Sequence, residues 1–149
     1  MKKLPIVIGA LAILVAPAFA TEDVIATRQA LMDNNGSAAG LAGAMLKDQI
    51  PYSPVAGKAV IVALRSTALA YGDYFPEGSA DPARSHASPK IWEDAAGFQA
   101  ELAKFQTATA AALEAAGKDG PPDKAAFAAA VQPVLGSCKS CHEGFRTEN

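Results

Sequence analysis

Two thiols and an imidazole lie close together near the C-terminus, as Cys138, Cys141 and His142. On a helix, positions three and four apart share a face, so all three side chains can reach one ligand from the same side. Two cysteines at this spacing with a histidine directly after them are the pattern that attaches a c-type haem. The thiols bond to the porphyrin and the imidazole binds the iron. The motif therefore predicts one covalently bound haem c per chain.

Three other interpretations of these residues are weaker. A Cys138–Cys141 disulfide would close a very short loop and add little stability. Structural zinc takes about four ligands, and the only other histidine or cysteine is His86, in a polar loop where a surface imidazole is expected. A redox-active cysteine pair opens a helix after a strand, whereas this motif ends an alanine-rich stretch.

The N-terminus has the features of a secretory signal peptide. A short basic start precedes an apolar run from Leu4 to Val15, and residues 18–20 supply small side chains for cleavage before Thr21. The run is short for a membrane span of about 20 residues. We therefore predict that residues 1–20 are a signal peptide and that the protein is exported to the periplasm. We expect no further spanning segment and no stable membrane insertion after cleavage.

The mature chain, residues 21–149, is long enough for one domain with one core. Without its two signal-peptide lysines it has 11 basic and 15 acidic side chains. An acidic chain with no block of like charge lacks the basic surface of a nucleic-acid-binding protein. No nucleic-acid partner is expected.

Apolar residues recur at steps of three and four along four segments, each preceded by a residue suited to an N-cap. The segments run from about Glu22 to Lys47, from Pro54 to about Tyr71, from Ser88 to about Ala116, and from Asp123 to the C-terminal motif. The predicted caps are Thr21, Ser53, Ser88 and Asp123. Pro133 lies inside the last segment and predicts a kink there. The pattern predicts an all-α fold, an antiparallel up-down four-helix bundle.

The chain resembles the class II cytochromes c, the family of cytochrome c′ and its low-spin relatives. The resemblance rests on a haem-attachment motif close to the C-terminus, on Arg28, Gln29 and Met32 in the first helix, and on the segment 88–92. It implies that residues 21–149 form one four-helix bundle domain with one haem c. Cytochrome c′ is itself a standard example of that architecture.

The resemblance also implies roles for individual residues. Met32 would bind the iron opposite His142, as in the low-spin branch, although methionine is also a common filler of bundle cores. Some high-spin members carry a methionine there without ligation. Arg28 would pair with a haem propionate, or else face solvent. Arg146 would lie beside the proximal face, or else stabilise the helix C-terminus as a cation.

A haem with two protein ligands has no open position for a substrate, so the leading hypothesis is a periplasmic single-haem electron carrier. Its partners would be redox proteins that the sequence does not identify. The alternative is a five-coordinate cytochrome c′ that binds nitric oxide or carbon monoxide. No acid–base pair accompanies Met32, which argues against an enzyme. The resemblance further allows a homodimer formed through the first two helices.

Overall fold

A computed structural model describes residues 23–148, so the predicted signal peptide lies outside the described residues. Four long helices and one short helix follow in order. They are α1 (Val24–Leu46), α2 (Pro54–Ala70), α3 (Lys90–Glu93), α4 (Ala95–Ala116) and α5 (Lys124–Phe145). A 3-10 turn, Tyr71–Tyr74, extends α2 into the loop that leads to α3.

Short polar side chains fix the starts of the long helices. Ser53 accepts a hydrogen bond from the Ala56 amide with Pro54 at the first position of α2, and Asp123 caps α5, so both predicted caps are confirmed. Thr21, the predicted first cap, lies outside the described residues. Asp23 takes that place, because its carboxylate accepts from two amides of the first turn of α1.

The predicted third helix is interrupted, which corrects the expectation of one helix from Ser88 to Ala116. Asp94 leaves the helical region (φ −124°, ψ 59°), and its carboxylate accepts from the Gly97 amide to start α4. An aspartate can offer this local hydrogen bond and so begins a new helix in the middle of a periodic pattern. The last helix continues past Pro133 without interruption.

The four long helices form a bundle in which neighbours along the chain pack together. α1 packs against α2 and α5, α2 against α4, and α4 against α5. The main core contains residues from every long helix, among them Met45, Leu64, Ala112 and Phe127. A second core lies where α3, α4 and the end of α5 meet, and its buried members are Ile91, Phe98, Leu102 and Phe145.

The outer face of α2 is unusually apolar. Val55, Val62 and Leu69 recur every seventh residue and are 77%, 42% and 58% exposed. With this face, Pro54–Tyr74 is long and apolar enough to cross a membrane, at a mean hydropathy of 1.2. The expectation that no further segment would qualify is therefore wrong. A single such helix is weak evidence for a span, and α2 packs within the bundle against α1 and α4.

Candidate haem site

The haem-attachment motif lies on the last turns of α5, as the periodicity predicts. Cys138 and Cys141 are both free thiols and half-buried, and His142 is exposed one turn after Cys138. Helical geometry puts the three side chains on one face, because they are three and four residues apart. They can therefore hold one flat ligand against the side of the bundle.

Burial keeps both thiols protonated. It raises the pKa of Cys138, and it raises the pKa of Cys141 to about 11, with smaller effects from the negative charges of Glu101 and Cys138. A thiol is a weak nucleophile until it ionises. Cys138 and Cys141 are the two residues suited to thioether bonds.

His142 is held in its neutral form, which is the form that binds iron. Desolvation lowers its pKa, and the positive charge of Arg146 lowers it further. Arg146 itself is exposed, and its backbone pairs with Ala87 in an isolated bridge. The charge of Arg146 therefore acts on His142.

A carboxylate on α4 holds the attachment motif, and sequence reasoning missed it. Ser140, inside the motif, donates a hydrogen bond of 2.7 Å to Glu101 Oε2. Lys104 donates a second hydrogen bond to the same carboxylate, and these two bonds lower the pKa of Glu101. A glutamate on a helix gives no sign of such a partner, because the contact depends on how α4 and α5 pack.

Arg28 is buried at 2% exposure, which removes the solvent-facing interpretation. Its guanidinium donates to Ser79 Oγ at 3.0 Å, to the Ser79 carbonyl at 2.8 Å and to Ser85 Oγ at 3.0 Å. It also lies over the rings of Phe75 and Trp92, 5.0 and 6.0 Å from their centroids. The loop between α2 and α3 therefore surrounds this cation with neutral groups.

The charge of Arg28 has no counter-ion among residues 23–148. Its Nε atom is buried without a hydrogen-bond acceptor, and burial lowers the pKa of the guanidinium. A buried cation is expensive unless an anion offsets its desolvation. Both an unused N–H donor and an unpaired charge fit a haem propionate, so the residues present suit the cofactor.

Met32 lies one turn after Arg28 on α1, on the same face, and its side chain is half-buried. Its Sδ is the acceptor of a hydrogen bond from Asn35 Nδ2 at 3.9 Å. The side chains of Met32 and Asn35 therefore lie side by side on α1. The spacing of three between Met32 and Asn35 could have revealed this contact from the sequence.

Tyr71 connects the α1 residues with the α5 motif. Burial, with a smaller contribution from Cys141, raises the pKa of Tyr71 to about 12, and the charge of Arg28 partly opposes this shift. Its ring packs edge-on against Phe75 at 5.0 Å. Tyr71 therefore interacts electrostatically with Arg28 of α1 and with Cys141 of α5.

The loop residues of this end carried no signal in the sequence. Ser79 and Ser85 stand in a segment without periodicity, so nothing indicated that their hydroxyls would accept a hydrogen bond from Arg28.

The same loop also contacts the C-terminal end of α5. Ser88 N donates to the Phe145 carbonyl at 3.0 Å, and Thr147 N donates to the His86 carbonyl at 2.8 Å. His86 is exposed, as expected for a surface imidazole.

The comparisons with known proteins agree with this arrangement. The family profile described as Cytochrome C′ matches residues 23–146. Among curated proteins, cytochrome c′ of Rhodopseudomonas palustris is 34% identical over 131 residues, 88% of this chain and 86% of its own length. Cytochrome c-556 of the same organism is 32% identical over 150 aligned positions, 98% of this chain and 97% of its own length.

Solved structures show the same likeness. The chain is similar to cytochrome c′ from Rhodopseudomonas palustris with a TM-score of 0.76 and 34% identity, covering 86% of this chain and 98% of that one. It is similar to oxidized cytochrome c556 of that organism with a TM-score of 0.71 and 32% identity, covering 85% and 98%. The four-helix bundle is therefore shared with these structures.

Proposed function

The chain belongs to the cytochrome c′ family and is a single-haem c-type cytochrome with one covalently attached haem c, and we propose that it is an electron carrier. The bound haem supplies one ferric–ferrous couple. The protein's part is to fix that group, fill both axial positions and exclude other ligands. The half-buried Met32, on the same face of α1 as the buried Arg28, is the observation that carries the proposal, because Arg28 calls for an anionic group beside that face and Met32 then offers a thioether to the iron.

We propose that Cys138 and Cys141 form the two thioether bonds and that His142 binds the iron through a neutral imidazole. The half-buried thiols on one face of α5 support the attachment. The lowered pKa of His142 supports the ligation, because a neutral ring keeps its lone pair free. Arg146, whose charge contributes to this pKa shift, lies on the proximal side.

We propose that Arg28 pairs with a propionate. A guanidinium that already donates to Ser79 and Ser85 is held in place, so its free Nε–H is oriented before any anion binds. A fixed donor at a buried position favours a carboxylate strongly. Tyr71, whose hydroxyl stays protonated, lies near this cation.

Met32 decides between the carrier and the gas binder. It lies four residues after Arg28 on the same face of α1, so a group anchored by Arg28 lies beside the Met32 side chain. A thioether in the second axial position raises the reduction potential and closes the iron to gases. The alternative is a five-coordinate iron that binds nitric oxide or carbon monoxide, with Met32 as a packing residue.

The spectrum of the purified protein separates these functions. Methionine ligation predicts a low-spin iron in both oxidation states, a far-red charge-transfer band in the ferric form, and slow, weak binding of carbon monoxide. Replacing Met32 by Ala should give a high-spin iron that binds the gas quickly, at a cost of about 2–5 kcal/mol in stability. A high-spin wild type whose spectrum Met32→Ala leaves unchanged would favour the gas-binding function.

We propose that a second copy of the chain covers the apolar face of α2. Val55, Val62 and Leu69 form one stripe at heptad spacing, and Leu41 of α1 is exposed beside the groove between the two helices. Heptad stripes suit pairing between helices. Replacing Val62 by Asp should turn a dimer into a monomer in sedimentation experiments with the absorption spectrum unchanged. A wild type that sediments as a monomer would contradict this proposal.

We propose export to the periplasm, where unidentified redox proteins would be the electron partners, and no enzymatic role. The basic start and apolar run of residues 1–20 support export, although they lie outside the described residues. N-terminal sequencing of protein from the periplasm should begin at Thr21. A chain that still begins at Met1 would contradict cleavage.

A further inference from the structure

The side chain of Asn35 makes one hydrogen bond within residues 23–148, and its acceptor is a sulfur. Asn35 Nδ2 lies 3.9 Å from Met32 Sδ, which is within reach of an N–H···S contact. The two residues are three apart on α1, so the helix itself keeps the amide beside the sulfur. Nothing in the packing of α1 against α2 requires this bond.

The other end of the same amide is unsatisfied. Asn35 Oδ1 is buried and has no donor among the described residues. Buried polar atoms without hydrogen-bond partners are rare and destabilise the folded state, so each one needs an explanation. A leucine of similar size would remove this cost.

The preceding residue shows what a structural asparagine does at this place. Asn34 Nδ2 donates to the Ala63 carbonyl at 3.2 Å and to Thr67 Oγ1 at 3.0 Å, and so joins α1 to α2. Asn35 joins no two helices. The two neighbours therefore have different roles, one in packing and one beside the sulfur.

We infer that Asn35 is a positioning residue for Met32 and raises the reduction potential of the haem, an inference that rests on the proposed ligation by Met32. A thioether sulfur has two lone pairs, so it can bind iron with one and accept an N–H with the other. The donated hydrogen bond withdraws electron density from the sulfur. The weaker electron donation from the sulfur destabilises ferric iron more than ferrous iron. The ferrous state is therefore favoured and the reduction potential rises. The bond also fixes one rotamer of a flexible side chain.

The test compares Asn35→Leu, Asn35→Ala and the matched control Asn34→Leu in the haem-loaded protein. Reduction potential and stability to denaturant are measured for each. Both Asn35 variants should shift the equilibrium about fivefold toward the ferric form, which is about 41 mV at 59 mV per tenfold change, and Asn35→Leu should not lower the stability. Asn34→Leu should lower the stability and leave the potential unchanged.

The outcomes separate this inference from the proposed function. A methionine-ligated wild type whose potential is the same in both Asn35 variants would overturn the role of Asn35 and leave the carrier function standing. The role of Asn35 would also be overturned if Asn35→Leu lowered the stability as Asn34→Leu does and left the reduction potential unchanged. A high-spin wild type would overturn both, because Met32 would then not bind the iron.

Discussion

Replacing Arg28 by Met should make the reduction potential depend on pH. The substitution keeps an unbranched side chain at a buried position and removes the buried positive charge. Without it, a buried propionate loses its partner and its pKa rises. The pKa rises more in the ferrous state, because the iron then carries one positive charge less. Between the two pKa values the potential should fall as pH rises, with a slope approaching about 59 mV per pH unit.

The size of the stability change follows from the contacts of the guanidinium. Three of its hydrogen bonds are 3.0 Å or shorter. Without Arg28 the two acceptors on Ser79 would lose this donor, whereas Ser85 Oγ keeps its bond from the Ala87 amide at 3.2 Å. Removing one member of a buried charge pair costs about 3–5 kcal/mol. The matched control is Arg84→Met in the same loop, since Arg84 pairs with Asp23 at 51% side-chain exposure. Its loss should cost less than about 1 kcal/mol.

Spectroelectrochemistry across neutral pH measures the effect on both variants and on the wild type. The wild type and Arg84→Met should have nearly flat profiles, because Arg28 keeps the propionate ionised in both oxidation states. A flat profile for Arg28→Met, accompanied only by lost stability, would refute the reasoning. Arg28 would then stabilise only the loop between α2 and α3.

Three further predictions concern the fold and the attachment. Tyr71 is protonated in the folded state up to a pKa of about 12, against 10.0 for the free side chain. The protonated Tyr71 should stabilise the folded state by about 2–3 kcal/mol below pH 10, and this stabilisation should be lost as pH rises toward 12. Denaturant titrations of Tyr71→Phe should show no such loss. Asp94→Ala removes the cap on the Gly97 amide and should cost about 1 kcal/mol in the same assay; an unchanged midpoint would contradict the capping role. Acidic organic solvent should leave the haem on the denatured protein, and haem that leaves with the solvent would contradict thioether attachment.

The parts of the fold that follow a helical period could be predicted from the sequence. Ser53 and Asp123 each stand directly before an apolar repeat, and the short side chain of each accepts an amide hydrogen bond in the structure. Asp94 shows the limit of such patterns. Its neighbours continue the repeat on both sides, so the break depends on one local hydrogen bond that no periodicity records.

The site could be predicted where its residues lie on one helix. The attachment motif, residues 138–142, and the segment from Arg28 to Met32 each span five residues, and helical geometry alone places their side chains on common faces. The partners of Arg28 come from the loop after α2, and the partner of Ser140 comes from α4. Contacts between segments that are distant in the sequence depend on tertiary packing. No local sequence pattern predicts them.

The most direct test of the central claim is an NMR spectrum of the ferrous protein labelled at its methionine methyl groups. Residues 21–149 contain two methionines, Met32 and Met45, and Met45 is fully buried in the main core. If Met32 binds the iron, its methyl group lies over the porphyrin and is shielded by the ring current. We predict one resonance shifted far upfield, absent in Met32→Ala, and one ordinary resonance from Met45. Two ordinary resonances in the wild type would contradict the account.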